Sequence, residues 1–453
     1  MNGTAELGEK PIGLLLWRYS LPGVVAMVVN AIYNVVDRVF IGKFSGEAAL
    51  AGLTVAFPLM LLTFAVANLV GVGGGALIAI RFGEKDLKGA SHVFGNVITS
   101  TALIGLLVTF IGLVNLSGWL RIFGADATTL PFAHDFMQII LLGTTFQFLS
   151  FTLSNTVRTE GFPRLAMMSQ ITSVLVNLVL ALIFVAGLRW GVRGAAMSTV
   201  LGQLCGLSIV LPHYLRKKSI LKPARSDWRL DWKLMGRICG IGTSAFLGTL
   251  GVSVSMTFLT TSLIRHGGVP AVTSLGAINS LYTLFILPFF GIQQGLQPII
   301  GYNHGAGRPD RVRKALYLAT GTAMGMATVV FLFLELFPAF FIALFIQKDS
   351  TTMPIAIHGM RIFMAMLPAI AINLMSITYF QSTAKAGMAI FLGMARQFIF
   401  LIPLVLVFSA LFGLTGTWLA TPVSDALSIL MAILFLAIDF RKYPITRMQA
   451  TDA

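Results

Sequence analysis

Charge is scarce in this chain and cysteine is nearly absent. Only 11% of its 453 residues are Asp, Glu, Lys or Arg, against about 25% in soluble proteins. That shortfall excludes a cytosolic globular enzyme, and a 56% hydrophobic content excludes a disordered chain. Acidic residues are the scarcer sign, 17 against 32 basic, for a formal net charge of +15. Two cysteines, Cys205 and Cys239, supply neither a disulfide framework nor a metal-ligand spacing and read as small core residues. Walker A, HExxH and GxSxG sequences are missing. No nucleophile, metal or acid–base set is therefore visible for an enzyme, and ATP-driven transport would need a separate chain. The basic excess comes without a zinc finger, a recognition helix or an aromatic-rich RNA motif, so nucleic acid is not an expected partner.

What the chain does have is long apolar runs, with a mean hydropathy of +0.86. A spanning helix needs about 20 residues, which leaves room for about a dozen. The runs fall near 12–40, 50–80, 93–114, 131–155, 166–187, 192–214, 235–264, 275–300, 315–346, 354–380, 388–409 and 414–438. The first ends in a polar-spiked stretch and should tilt or bend. The seventh is rich in Gly, Ser and Thr, which suits packing or lining a cavity better than facing lipid. Glu6 and Glu9 precede the first run, so the N-terminus does not read as a cleaved signal.

About 22 of the 32 basic residues fall in the two tails and the even-numbered loops. The odd-numbered loops hold only Lys43, Arg121, Arg189, Arg193, Arg265 and Lys348. The positive-inside rule then places both termini in the cytoplasm of a multi-pass protein. The expected organisation is a first six-helix lobe (1–215), a basic cytoplasmic linker (216–234), a second lobe (235–440) and a cytoplasmic tail (441–453). The linker, from Arg216 to Lys233, reads as a solvated loop that sets topology, with a lipid or partner site as the alternative.

The two halves resemble each other at a shift of 222 residues. Gly46, Ala49, Leu53, Leu62, Gly73, Ile78 and Gly83 fall on Gly268, Ala271, Leu275, Leu284, Gly295, Ile300 and Gly305. Gly191, Gly194 and Thr199 likewise meet Gly413, Gly416 and Thr421. Six spans is an even number, so the repeats are parallel and related by an axis along the membrane normal. Parallel repeats are a transporter device, with the site between halves that rock against each other. The fold class is thus an all-α membrane protein of 12 transmembrane helices in two pseudo-symmetric six-helix bundles.

Carboxylates inside the spans are few: Asp37, Glu335 and Asp425, with Asp135 and Asp439 near ends. A charge at the bilayer centre costs about 2.5–3.5 kcal/mol on insertion scales, so each needs a reason. Asn30, Tyr33, Asn34 and Asp37 form one polar stripe on the first span, which must face protein or water. The functional reading of Asp37 is an ion- or proton-binding carboxylate; the alternative is a structural ion pair near the outer interface. Glu335 and Asp425 read as structural partners of Arg361 or Arg396. Other polar groups within spans are Asn68, Gln147, Asn155, Asn177, Ser198, Thr199 and Gln203 in the first half, and Asn279, Gln293, Gln294 and Gln297 in the second. Asn68, Gln147, Asn155, Gln293 and Gln297, with Asn30 and Tyr33, are candidates to line a substrate cavity. GVGGGA (71–76) matches a dinucleotide fingerprint only on paper, because no strand precedes it; close helix packing is the better reading.

Five segments in order, IYNVVDRVFIGKFSGEAALAGLTVAFP (32–58), VGVGGGALIAIRFGEKD (70–86), RTEGFPRLAM (158–167), GVRGAAMSTVLGQ (191–203) and GIQQGLQPIIGYNHGAGR (291–308), resemble the multidrug and toxic compound extrusion (MATE) family over nearly the whole chain. The last is most similar to the bacterial MepA-like and DinF-like branch. The resemblance implies two six-helix lobes around a central cleft in a bacterial cytoplasmic (inner) membrane. It also implies alternating access driven by inward protons or sodium, and small amphipathic organic cations as substrates. By the same resemblance Asp37 is the coupling carboxylate, helped by Asn34, Asn177 and Thr199. The family's Asn-x-x-x-Asp pattern is only half kept, because the Asp position, four after Asn177, is Ala181. One carboxylate with neutral Asn177 and Thr199 is a poor cage for sodium, which favours protons. No cofactor beyond the coupling ion is expected, and a single chain with two halves is expected to work as a monomer. The alternatives are a lipid-linked saccharide flippase of the same superfamily, and a membrane channel or sensor without coupled transport.

Overall fold

A computed structural model describes residues 5–45, 47–216, 218–347 and 351–442; within these, the side chains of residues 5, 34–45, 47, 48 and 50 lie outside the described set. Most of the described residues are helical, with no strand among them. The elements are α1 (Ala5–Glu9), α2 (Ile12–Ser45), α3 (Glu47–Gly83), α4 (Leu87–Val114), α5 (Leu116–Ile122), α6 (Leu130–Thr159), α7 (Pro163–Ala181), α8 (Gly191–Leu215), α9 (Trp232–Gly305), α10 (Pro309–Leu336), α11 (Pro338–Ile342), α12 (Thr352–Phe363), α13 (Leu367–Ser382), α14 (Ala386–Met394) and α15 (Ile402–Lys442).

Two of these rods cannot be single spans. The 74 residues of α9 would reach about 110 Å as a straight helix, against a hydrocarbon core of about 30 Å. The chain turns back at Gly268 (φ 63°, ψ −159°). Helix α15 does the same at Gly413 (φ 58°, ψ −130°). Both positions lie in the left-handed half of φ, which glycine enters without a Cβ penalty. Counting both reversals, and α12 with α13 as one span bent by 47°, twelve spans cross among the described residues.

Proline corrects two expected spans. The apolar pattern predicts a ninth span over 315–346, but α10 stops at Leu336 and α11 starts separately at Pro338. Proline disfavours the helical region for the residue before it, and Phe337 sits at φ −125°, ψ 48°. The tenth is interrupted at Met364–Met366, just before Pro368.

The repeat is visible in the backbone. Left-handed residues recur at or within one residue of the sequence offset: Lys85 with Gly307, Gly161 with Ala384, and Gly191 with Gly413. The fifth span of each half also carries a π-helical stretch, Leu182–Gly187 after α7 and Ala395–Leu401 after α14. One large hydrophobic core holds the second bundle, including Phe289, Phe380 and Trp418. Two smaller cores hold the first, around Phe136 and Met137 and around Phe94 and Val157.

The bundles meet along a seam of near-backbone contacts. A Cβ on Gly83 would lie 2.0 Å from the Tyr302 carbonyl oxygen, and one on Gly305 would lie 2.0 Å from that of Ile80. Residues 80 and 83 map onto 302 and 305 by the 222-residue shift, so this contact is its own mirror under the pseudo-two-fold. Gly242 approaches Leu69 and Gly73 approaches Ile238 in the same manner. All of these lie in the halves of the helices nearer the chain termini, so the bundles close against each other on that side. Helix α2 divides its packing between them. Its first turns (Ile12, Leu15, Leu16, Tyr19) join the core of the second bundle, while Tyr33, further along, bonds to α7 in the first.

Candidate functional site

The polar groups of the first bundle converge where α2, α7 and α8 meet. Asn177 on α7 is buried, and its Nδ2 donates to the Tyr33 hydroxyl on α2 and to Thr199 Oγ1 on α8, both at 3.0 Å. Thr199 in turn donates to the Ala195 carbonyl oxygen at 2.9 Å, the usual outlet for a threonine inside a helix. Three helices are thereby tied by one amide. The amide's own acceptor, Asn177 Oδ1, is buried with no partner among the described residues. A buried oxygen left in this way costs about 1–3 kcal/mol, and such exceptions concentrate at sites that receive a proton, ion or water. Close packing leaves it little room to relax, since Gly202 of α8 sits directly beneath Asn177.

Asn34 and Asp37 fall on α2 within the next turn, but their side chains lie outside the described residues. Their backbone is helical, so position 37 follows Tyr33 by one turn on the same helical face. Ala181, one turn beyond Asn177, is buried. Asn30 is half-buried on the same α2 face as Tyr33 and Asp37.

The remaining cavity candidates have different surroundings. Gln293 is half-buried and donates to the Leu374 carbonyl at 2.8 Å, joining α9 to α13 inside the second bundle. Gln297 donates to the Val72 carbonyl at 2.9 Å, a bond across the seam. Asn155 is buried and accepts from the Arg158 guanidinium at 2.9 Å, close to Gly75 and Gln297. Asn68 is buried on α3 and Gln147 half-buried on α6. Gln297 and Asn155 thus sit at the closed seam, and Gln293 braces one bundle.

The second bundle places a charged group at its centre. Arg396, in the π-helical stretch, donates to Asp425 of α15 at 2.5 Å and to the Tyr282 hydroxyl of α9 at 3.3 Å. Asp425 is 4% exposed, so its carboxylate is withdrawn from water. Within this π turn Ser424 donates to the Arg396 carbonyl at 2.6 Å. Beside it, Ser255 donates to Gln397 at 2.7 Å. Glu335 pairs with Arg361 at 3.3 Å. Both acids therefore have the basic partners expected from the sequence.

Two further clusters escape sequence reasoning. Glu160, at the end of α6, has its carboxylate fully buried against His213 (2.8 Å) and accepts from Ser219 (2.8 Å). Asp439 in α15 takes Lys385 and the Tyr379 hydroxyl, both at 2.5 Å. Each ties the sixth span of its bundle to the end of the fourth. Only the repeat could hint at them, through RTEGFPRLAM and its poorly matching counterpart QSTAKAGMAI.

Twelve apolar spans in two pseudo-symmetric bundles, meeting at a seam of backbone contacts beside a buried polar site, define a multi-pass helical membrane protein built from two six-helix bundles. The MatE family model matches residues 22–183 and 247–407, one block in each bundle. This chain belongs to the MatE (MATE) family, and it is a transporter, not an enzyme. It is similar to the multidrug export protein MepA of Staphylococcus aureus (strain N315), 25% identical over 431 residues and 94% of each chain. MepA of Staphylococcus haemolyticus is 26% identical over 409 residues, 90% of this chain and 89% of that one. Among solved structures, the MATE multidrug transporter DinF-BH superposes with a TM-score of 0.88 at 33% identity, covering 95% of this chain and 98% of the other. An outward-facing MATE transporter of the MOP superfamily has the same fold (TM-score 0.90, 22% identity, 96% and 98% covered).

Proposed function

We propose that this protein is a secondary active multidrug exporter that exchanges small amphipathic organic cations for protons by alternating access. The observation that carries the reading is Asn177: a buried amide bridging three helices, its oxygen without a partner among the described residues, close to the α2 turn that carries Asp37. The bonds it makes are neutral, so Asp37 is the one carboxylate of the sequence motif at this site, and Ala181 adds none. A solitary carboxylate near neutral donors takes up a proton more readily than it builds a sodium cage.

In the proposed cycle both termini are cytoplasmic, so a seam closed on the termini side is an outward-facing state of a bacterial cytoplasmic-membrane protein working as a monomer. Asp37 takes a proton from outside, the bonds joining α2, α7 and α8 rearrange, and substrate leaves. Facing inward, Asp37 loses the proton and the cation binds again. Such exchange requires that proton and substrate favour different states. The fixed Arg396–Asp425 pair supports a division of labour in which the second bundle moves as a rigid body and the first rearranges. One proton for one monovalent cation would carry no net charge, leaving the pH gradient alone as driving force.

The test is efflux of an ethidium-like cation from vesicles with pH and sodium gradients imposed separately. Stimulation by the proton gradient alone is expected. Stimulation by sodium at fixed pH, with none from protons, overturns the coupling. Asp37→Asn should abolish coupled efflux with insertion intact, and full activity in that variant would remove Asp37 from the scheme.

A further inference from the structure

The segment that joins the bundles is both basic and fixed in place. The His92 ring on α4 meets the Asp227 carboxylate at 3.0 Å and that of Asp231 at 3.6 Å. Asn96 donates to the Asp227 carbonyl (3.2 Å) and accepts from the Asp231 backbone N–H (2.7 Å). Ser91 accepts from the Lys222 N–H at 3.0 Å, and Thr99 donates to the Trp228 carbonyl at 3.1 Å. The linker therefore lies along the first turns of α4 as part of the first bundle. Both of its acids are spent on this docking: Asp227 also accepts from the Ala224 N–H, and Asp231 from the N–H groups of Lys233 and Leu234.

What the docked linker presents outward is then mainly basic, with four cations beside the one acid, Asp231, whose side chain stays 45% exposed. Arg225, Arg229, Lys233 and Arg237 are exposed, and none is in an ion pair among the described residues. Trp228 is 44% exposed and Trp232 79%. Trp232 is the first residue of a spanning helix, which sets both rings at the boundary between hydrocarbon and headgroups, where an amphipathic indole is favoured. Lys233 and Arg237 are four apart on one helix face, close enough to share one phosphate. Gly236 leaves open space beside them, since a Cβ there meets nothing within 4 Å.

We propose that this face is a docking surface for anionic phospholipid headgroups of the leaflet on the termini side. Charge complementarity selects the occupant: four unneutralised cations with two indoles beside them fit a phosphate-bearing headgroup whose acyl chains continue along α9. Because the docking bonds run to α4, bound lipid anchors the first bundle, and the second moves relative to it. This inference stands independently of the transport reading, since it needs only the spanning fold.

The experiment measures lipid retention by the purified full chain, using native mass spectrometry with phosphatidylglycerol and phosphatidylcholine offered in equal amounts. Wild type should keep phosphatidylglycerol preferentially. R229Q/K233Q/R237Q should reduce that preference by about fivefold for each charge removed, whereas R441Q/K442Q, also exposed and basic, should leave it intact. Equal retention of both lipids by wild type, or equal loss in the two variants, overturns the proposal. A soluble acidic peptide such as polyglutamate binding the same residues as tightly as the lipid would overturn it too and assign the face to a protein partner. Should the triple variant fail to fold, wild type is tested against W228F/W232F with brominated lipids. Quenching by brominated phosphatidylglycerol should exceed that by brominated phosphatidylcholine, and this excess should fall with added salt and be lost in the double variant, leaving the headgroup-blind quenching of the other four tryptophans. Salt-independent, headgroup-blind quenching refutes it.

Discussion

Placing a methyl group on Gly83 tests whether the seam between the bundles is what keeps the termini side shut. The new Cβ would lie 2.0 Å from the Tyr302 carbonyl oxygen and 2.7 Å from the Ala306 nitrogen. Ordinary van der Waals contact begins near 3.4 Å, so α3 and α9 must retreat by about 1 Å or more to restore it. Both obstacles are backbone, so no rotamer change relieves them. Overpacking of this kind costs about 1–3 kcal/mol, which weakens the closed state by about 5- to 150-fold relative to an open one. Spin labels at Lys88 and Asp310, exposed positions on the two bundles at this face, would report the change as a longer distance population in Gly83→Ala. Gly305→Ala should do the same through Ile80. Combining them should add little, because a seam already parted has no second contact to break. An unchanged distance distribution in a well-folded Gly83→Ala protein would refute the reasoning.

Other perturbations follow from the polar clusters. Asn177→Ala removes the bonds to Tyr33 and Thr199 and should cost about 1–3 kcal/mol, seen as a lower melting temperature together with loss of substrate efflux. Arg396→Gln or Asp425→Asn breaks a buried pair and should destabilise by about 3–5 kcal/mol, whereas Arg396→Met with Asp425→Leu should recover most of that loss in a thermal melt. The linker's docking should fail in acid. Partial burial pushes the Asp227 carboxyl up, but the Ala224 N–H and the His92 ring outweigh it and hold it below its usual range. The Leu234 N–H does most to lower Asp231, assisted by His92 and Lys233. Carboxyls depressed on folding stabilise above their unfolded value of 3.8, and that stabilisation is lost as pH falls through the lower folded value. Hydrogen exchange at residues 222–231 should therefore be slow at neutral pH and rise below about pH 4 relative to its intrinsic rate; protection unchanged down to about pH 2 would contradict it.

The spans, their pairing into repeats and the partners of Glu335 and Asp425 are legible because each rests on one-dimensional signals. Long apolar runs can only cross a membrane, and a charge within one needs an opposite neighbour. Shared offset makes the repeat readable although its glycines look individually ordinary. Gly83 and Gly305 acquire meaning only when the bundles face each other. The bonds of Gln293 and Gln297 cannot be read, because helix rotation decides whether an amide meets a cavity, a seam or a neighbouring carbonyl. Glu160 reads as a loop acid, since the histidine that meets it lies 53 residues further along. Arg158 reads as an ordinary boundary cation, yet it is 4% exposed.

The π-helical stretch at Ala395–Leu401 amounts to one surplus residue in the eleventh crossing, and Leu182–Gly187 is its counterpart in the fifth. Removing a single amino acid there would leave the helix long enough to cross and just as apolar. It would nevertheless close the bulge into an ordinary α turn and re-aim the residues inside it by up to about 100°, carrying Arg396 away from Asp425 or Gln397 away from Ser255. Within those few residues the length of the chain, more than its chemistry, decides which way the buried charge looks.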